Sequence, residues 1–238
     1  MPKVGARVCP SGGPSPPSST SCGPGFRGTP CRELGASSTI HDRFQEWVGA
    51  GFFTALGEAL ADFDELIGID WKWQALDGAM TKAPFGGAAS GPNPTDRAKL
   101  GGKRSLLTDG AGIPLAVAID GANRHDLKLL AATLDGIVVT RPEPQRLCLD
   151  AGCAYDAVRD DVAARGYDAH MRGRGDERME KERNPGWRAR RWVVERTHSW
   201  LNRSRRLLVR WEKQAENYLA FVHLACAQLI FSNLSVSG

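Results

Sequence analysis

The chain has 238 residues, of which 42% are hydrophobic and 24% charged, and its formal net charge is +4. This composition is that of an ordinary globular protein with one sizeable core and an appendage. The six cysteines form no CxxC pair, the amino terminus lacks an apolar signal sequence, and residues 218–234, the longest apolar segment, contain several polar residues. The sequence therefore argues against a structural zinc site, secretion and a membrane span.

Residues 1–32 differ from the rest of the chain because they hold seven of the 14 prolines. Such a segment cannot bury enough apolar surface to offset the entropy lost on ordering, so we expect it to be disordered. A helix is predicted to begin at Ser37 and Ser38, with apolar residues at helical spacing up to Val48. A second helix is predicted over residues 52–66.

The first predicted strand lies in residues 67–78. Ile69, Trp71, Trp73 and Ala75 alternate with polar residues, as in a strand with one buried face. Asp77 has the same parity, so the strand is expected to end in an inward-facing carboxylate followed by a glycine. A glycine at that place lets a ligand or another backbone come close.

Residues 81–104 are predicted to form a loop rich in glycine and proline. After it, apolar runs flank Asp109-Gly-Ala-Gly and predict a β-hairpin. Helices and strands then alternate, and a second strand ends in an aspartate, Asp150. This order predicts a mixed α/β fold with five strands. The later elements are a helix over 125–134, a strand over 146–150, a helix over 155–165, a strand over 167–172, and two helices over 188–211 and 218–234.

The Arg-rich segment places one carboxylate among many cations. On a helical wheel at about 100° per residue, Glu195 lies opposite an apolar face. Residues 172–213 contain 14 Lys or Arg against 6 Asp or Glu, an excess that suits binding to a phosphate backbone. The pattern fits either a salt-bridged surface helix or a site that holds a divalent metal beside a polyanion. The side chains around Glu195 on the wheel are Arg188, Arg191, His198, Asn202 and Arg206.

Asp77, Asp150 and Glu195 converge if the two Asp-bearing strands are neighbours and the Arg-rich helix packs across them. Converging carboxylates repel one another unless a cation lies among them. Carboxylate oxygens are the ligands that Mg²⁺ and Mn²⁺ prefer. Two such ions about 4 Å apart can promote phosphodiester cleavage.

Several stretches of the chain resemble the DDE transposases of bacterial insertion sequences. The resemblance covers about residues 33–235 and implies a ribonuclease H-like, integrase-type fold in which Asp77, Asp150 and Glu195 are the catalytic, metal-binding triad. It divides the chain into a disordered tail (1–32), a partial helix-turn-helix-like DNA-binding remnant (33–66) and a catalytic domain (67–235). The stretches are Ile69–Gly78, Gly91–Asp96, Ser105–Gly110, Gly121–Asp126 and Arg191–Arg203.

Two features depart from that family. Its signature around the glutamate often reads Tyr-x2-Arg-x3-Glu-x6-Lys, whereas Arg188 occupies the Tyr position and Asn202 the Lys position. Arg203 or Arg206 could supply the missing cation. The family also has a complete helical DNA-binding domain before the catalytic domain, and only its last one or two helices have counterparts in this chain.

The resemblance implies a DNA transposase that cuts and joins DNA at the ends of an insertion sequence, with Mg²⁺ or Mn²⁺, two ions, as cofactor. The implied partners are terminal inverted repeats and target DNA, with a homodimer assembled on them, in the bacterial cytoplasm at the nucleoid. Two alternatives are a truncated remnant that binds DNA without productive catalysis and a simple metal-dependent nuclease. The implied DNA-binding residues are Lys103, Arg104, Arg188, Arg191, His198, Asn202, Arg203 and Arg206.

Overall fold

The computed structural model describes residues 37–55, 57–139, 145–150, 155–171, 178–179, 182–183 and 190–237. The predicted tail over residues 1–32 and Arg188 lie outside these residues. The chain separates into two units, Met1–Ile40 and His41–Gly238, and only the first turn of one helix is described in the smaller unit. All further description therefore concerns the larger unit and that helix.

Three helices precede the sheet: α1 (Ser37–Gly49), α2 (Phe52–Ala55) and α3 (Glu58–Leu66). The ring of Phe44 in α1 stacks on Phe221 with centroids 4.8 Å apart, so the predicted apolar stripe does meet the rest of the domain. The single helix predicted over 52–66 is wrong, because the chain turns at Gly57, whose N–H donates to the Thr54 carbonyl. Glycine suits this turn because a Cβ there would stand 3.1 Å from Val138.

Among the described residues the sheet has six strands, one more than predicted. Its central order is β4–β3–β1–β5–β6, and the short β2 pairs with the start of β3 on the edge away from β1. The first strands are antiparallel, whereas β5 runs parallel to both β1 and β6. The mixed α/β architecture is therefore confirmed. The strands are β1 (Trp73–Lys82), β2 (Gly91–Pro92), β3 (Leu100–Asp109), β4 (Pro114–Gly121), β5 (Gln145–Cys148) and β6 (Tyr167–His170).

The first strand begins later and ends later than predicted. Gly68 has a φ of +92°, and Trp71 N–H donates to the Ile69 carbonyl, so a turn occupies the expected first half of the strand. The strand then continues to Lys82, which places Asp77 in its middle and not at its end. The predicted 81–104 loop is correspondingly shorter, because β3 already begins at Leu100.

The remaining helices pack on the two faces of the sheet. On one face lie α4 (Asp126–Asp135) and α5 (Asp156–Ala164), with Leu76 and Leu107 in the core. On the other face lie α6 (Trp192–Leu201), α7 (Arg205–Leu208) and α8 (Ala215–Ser237), with Ala75 and Leu106 in the core. We call these the α4 face and the α6 face. None of the helices so described is long and apolar enough to cross a membrane.

The Arg-rich segment is two helices instead of the one predicted up to Trp211. The first, α6, ends at a turn in which the Asn202 N–H donates to the His198 carbonyl, 3.0 Å away, and α7 starts after Ser204. Asn and Ser favour such turns because their side chains compete for backbone hydrogen bonds. Trp211, the last residue of the predicted helix, lies outside both helices and is 47% exposed.

Candidate active site

Asp77 faces the α6 side of the sheet, since it shares the parity of Ala75 along β1. The parallel pairing of β1 with β5 ends where Ala75 meets Cys148. Asp77 stands two residues beyond Ala75, and Asp150 stands two residues beyond Cys148. The two aspartates therefore lie at the same level of neighbouring strands, Asp77 within β1 and Asp150 just beyond the end of β5.

Glu195 reaches this place from the first turn of α6. The helix packs on β1 and β3 through buried residues such as Val194, which shares an apolar cluster with Ala75 and Leu106. The Glu195 side chain itself is 54% exposed at the edge of the packed surface. A helix with one apolar face thus carries a carboxylate to the rim of the sheet.

One guanidinium joins the acidic groups. Arg191, one turn before Glu195, donates from Nε to Glu195 Oε1 at 3.3 Å and from Nη1 to Asp150 Oδ1. Its positive charge also acts on Asp77. The neighbouring strands and the helix packed on them bring the three carboxylates to one region of the sheet, and an arginine of the chain itself pairs with two of them.

The pKa of Asp77 reflects both its burial and the charges around it. It is raised from 3.8 to about 6, chiefly by burial, and the negative charge of Glu195 acts in the same direction. A hydrogen bond from the Gly78 N–H and the charge of Arg191 act in the opposite direction. A carboxylate that is both desolvated and near another carboxylate gains stability when a cation approaches.

The donor chemistry of the site fits a hard divalent cation, because Asp77, Asp150 and Glu195 offer only carboxylate oxygens. Their spacing is wider than direct coordination requires: among the described residues, no three His, Cys, Asp or Glu side chains are close enough to hold a common ion. Arg191 lies between two of the three groups, so the arrangement around it is that of an ion-pair network.

The predicted DNA-binding residues do not all lie at the surface. Lys103 and Arg104 belong to β3 and are 5% and 1% exposed, so the prediction that they contact DNA is wrong. Lys103 instead pairs with Asp126 at 3.1 Å on the α4 face. The prediction failed because both residues fall within the loop predicted over 81–104, whereas β3 already begins at Leu100.

His198 is also buried, although the wheel placed it on the exposed face of Glu195. It is 5% exposed, and burial together with the charge of Arg104 lowers its pKa from 6.5 to about 4. A neutral, enclosed imidazole cannot contact phosphate as a cation. The expected role of His198 in DNA binding is therefore corrected to a role inside the protein.

Two of the expected cations near the end of α6 keep their exposure. Arg203 and Arg206 are both exposed, and Arg206 forms an ion pair with Glu212 after the chain has turned away from α6. Asn202 accepts a hydrogen bond from buried Arg104 at 3.0 Å. Arg206 therefore does not lie on the same helix surface as Glu195, contrary to the wheel.

Two other polar residues, His125 and Asp109, make structural contacts. His125 is the residue before α4, and its Nδ1 accepts from the Leu127 N–H. Asp109 accepts from the backbone N–H groups of Ala111, Gly112 and Ile113 in the hairpin turn. These contacts satisfy backbone donors and leave neither residue facing the acidic site.

The contact between β3 and the site was not foreseen from the sequence. Arg104, His198 and Asn202 form a buried polar group directly behind Asp77, and Arg190 lies over the ring of Trp73 at 3.9 Å. A signal was available in the regular alternation of β3, where Arg104 shares the parity of buried Leu106. Charged residues at core positions are rare enough to merit notice.

Comparison with known proteins places the domain in a family. A family model described as the transposase DDE domain matches residues 74–230. A putative transposase for insertion sequence element IS402 of Burkholderia cepacia is 38% identical over 159 residues, which cover 63% of this chain and 72% of the relative.

The solved structures that resemble the chain do so distantly. The Mos1 transposase paired-end complex with left transposon end has 12% sequence identity and a TM-score of 0.30, and the match covers 66% of this chain and 60% of that one. The Mos1 strand transfer complex has 13% identity, the same TM-score and coverage of 74% and 60%. The chain thus spans about 60% of the length of these structures. Because the family model matches more than half of its residues, the chain belongs to the transposase DDE domain family.

Proposed function

We propose that this chain is a DNA transposase that cleaves phosphodiester bonds and transfers strands at the ends of an insertion sequence. The observation that carries the proposal is the meeting of Asp150 and Glu195 at Arg191, with the charges of both Arg191 and Glu195 acting on Asp77. Membership of the transposase DDE domain family supports the same conclusion. The relative from Burkholderia cepacia, named a putative transposase, agrees with it.

Asp77, Asp150 and Glu195 are the residues that would hold the divalent cations, Mg²⁺ or Mn²⁺, and we propose two ions. When bound, such ions activate the attacking oxygen and stabilise the leaving oxygen. In cleavage, a bond forms between a water oxygen and phosphorus, and the bond from phosphorus to the 3′ oxygen breaks. In strand transfer, the freed 3′-hydroxyl attacks a phosphorus of the target DNA and displaces the 3′ oxygen of that strand.

Arg191 and the exposed cations beyond α6 are proposed to hold the DNA backbone. Arg203 and Arg206 keep the exposure that a phosphate contact needs, and a guanidinium can bind a phosphate through two parallel hydrogen bonds. Asn202 stays in the proposed set as a neighbour of Arg203, and Arg188 stays a prediction from the sequence. Assembly as a homodimer on DNA, and a location at the bacterial nucleoid, are also part of the proposal.

A nicking assay tests the function. The substrate is a labelled duplex that carries the terminal inverted repeats of the element, incubated with Mg²⁺, with Mn²⁺ and with EDTA. Asp77→Asn, Asp150→Asn and Glu195→Gln each remove one ligand charge at nearly constant shape, so each is expected to abolish cleavage while leaving the fold intact. Asp168→Asn is the matched control, since Asp168 is an exposed carboxylate on β6 that pairs with Arg146.

The outcome separates a catalytically active protein from a remnant that only binds DNA. Metal-dependent nicking by the parent and the control, with none by the three site variants, supports phosphodiester cleavage at the proposed triad. DNA binding without any nicking by the parent would favour a remnant with no productive catalysis. Full nicking by one of the three variants would remove that residue from the proposed triad.

A further inference from the structure

The interior of the domain holds a cation that forms no ion pair among the described residues. Arg104 is 1% exposed, and its guanidinium contacts three neutral groups: Tyr218 Oη at 3.4 Å, His198 Nδ1 at 3.5 Å and Asn202 Oδ1 at 3.0 Å. Burying a charge without a charged partner is energetically costly. A residue kept at such a cost invites a functional explanation.

The contact with His198 determines the state of the imidazole. An arginine guanidinium carries only donors, so His198 Nδ1 must accept with its lone pair. Burial keeps this histidine neutral, so its single ring proton is then on Nε2. That nitrogen lies 3.3 Å from the backbone carbonyl oxygen of Asp77 and donates to it.

The chain of contacts therefore ends at the proposed active site. Arg104 comes from β3, which pairs directly with β1, and His198 lies one turn after Glu195 on α6. The hydrogen bond to the Asp77 carbonyl ties α6 to the strand that carries the first carboxylate. The separation between Asp77 and Glu195 depends on how α6 is seated, and this bond is a direct polar link between the two elements.

We propose that Arg104 is a positioning residue: it holds His198 in the Nε2–H tautomer, and His198 in turn fixes the Asp77 main chain against the helix of Glu195. The inference rests on the proposed function only in taking Asp77 and Glu195 as metal ligands. Supporting residues behind metal ligands typically change metal affinity by about 10–100-fold when they are removed. The same size of effect is expected here.

The first experiment reads the tautomer directly. Long-range ¹H–¹⁵N NMR of the full chain, free of DNA and metal, distinguishes a protonated ring nitrogen from one with a lone pair. The chain has five histidines, and His198→Phe identifies the resonance by its loss. We expect Nε2 protonated in the parent and a detectable share of the Nδ1–H tautomer in Arg104→Met, where only the Asp77 carbonyl still favours the proton on Nε2. Protonation of Nδ1 in the parent would overturn the proposal.

The second experiment measures Mn²⁺ affinity of the same protein by electron paramagnetic resonance. Arg104→Met and His198→Phe should each weaken binding by about tenfold or more. The double variant should be no worse than either single one, because the two residues act through one path. Additive losses, or an unchanged dissociation constant in His198→Phe, would contradict the proposed path.

A matched control excludes a general effect of losing a buried arginine. Arg210 is also 1% exposed, but its guanidinium donates to the backbone carbonyls of Ala88 and Ala89 and does not reach His198. Arg210→Met should leave the tautomer and the Mn²⁺ affinity unchanged. If the parent binds no Mn²⁺ at all, the proposed function fails, while the NMR result still decides the role of Arg104.

Discussion

At the scale of single residues, the main feature of the site is that few cations lie among its acidic side chains. Arg191 pairs with both Asp150 and Glu195, and these side chains are 53% and 54% exposed. Exposed ion pairs contribute little to stability, about 0–1 kcal/mol each. The network therefore holds the acids near one another without a bond strong enough to prevent a competing cation from replacing the arginine.

Replacing Arg191 should reveal that competition. In Arg191→Met the acids lose their internal cation, so a divalent ion meets no competitor and we expect its dissociation constant to fall several-fold. The rise in melting temperature on adding Mg²⁺ should likewise be larger than in the parent, as binding to the native state alone stabilises it. Calorimetric titration measures the constant. Arg203→Met, an exposed arginine outside the network, is the control, and weaker metal binding by Arg191→Met would contradict the idea.

The pKa of Asp77 makes a second residue-scale prediction. The pKa in the folded, metal-free protein is about 6, above the ordinary value of 3.8. The native state therefore holds an extra proton between these values, so the contribution of Asp77 to stability is complete below pH 3.8 and is lost as the pH rises through 6. A shift of this size corresponds to about 3 kcal/mol.

Asp77→Asn removes this dependence while keeping the shape of the side chain. Urea unfolding of the metal-free parent and variant is measured at pH 4 and pH 7. The free energy of unfolding of the variant, relative to that of the parent, should increase by up to about 3 kcal/mol as the pH rises. The comparison cancels the other titrating groups, His198 included, because both proteins contain them. A difference in stability that stays constant between the two pH values would show that Asp77 titrates normally.

At the scale of elements, the turn between β3 and β4 supports α6. Gly112 has a φ of +96°, and a Cβ on it would meet Arg196 Nη2 at 2.9 Å and Thr197 Oγ1 at 3.0 Å. Thr197 Oγ1 also donates to the Gly112 carbonyl at 2.8 Å. The hairpin turn thus touches α6 on the side opposite the solvent-facing Glu195 and helps to seat the helix.

Gly112→Ala should consequently be destabilising. A left-handed backbone conformation costs a residue with a Cβ about 1–3 kcal/mol when the structure enforces it, and the close contacts with α6 add to this cost. Chemical denaturation of the purified variant measures the loss. Gly49→Ala is the matched control, because a Cβ there meets nothing within 4 Å and its φ is not in the left-handed region. Equal stability of the two variants would contradict the account of the turn.

At the scale of the whole molecule, DNA binding is expected to be strong but unselective. The exposed cations act on phosphates of any sequence, whereas base recognition needs a helix held firmly in a groove. Helix α1, the element predicted to serve that purpose, contacts the rest of the domain through Phe44 but has no fully buried residue. A helix held by so little buried surface is poorly oriented for reading bases.

Fluorescence anisotropy at two salt concentrations tests this. We expect affinity to fall steeply as salt rises, because each phosphate contact releases counterions, and to differ little between terminal-repeat and random duplexes. Discrimination above about 10³-fold, the lower range for specific DNA-binding proteins, would show that the amino-terminal segment supports recognition after all.

The sequence by itself determined the order of elements, the two Asp-bearing strands and the amphipathic helix of Glu195, because local periodicity reflects which side chains face the core. It also indicated the hairpin at Asp109, whose side chain caps the turn as expected. The limits of the first strand are wrong in the sequence-based prediction. The apolar alternation that predicts a strand from Ile69 also runs through the turn between Gly68 and Trp71, so it places Asp77 at the end of the strand instead of in its middle.

Only the tertiary structure decided which charged side chains lie inside. Lys103, Arg104 and His198 have the sequence pattern of a basic surface, yet β3 is an inner strand between β1 and β4 and is covered on both faces. A helical wheel assumes one continuous helix, and this assumption is wrong here because the chain turns at Asn202. Burial is a property of how elements pack against one another, so the position of Arg104 behind Asp77 could not be obtained from local patterns alone.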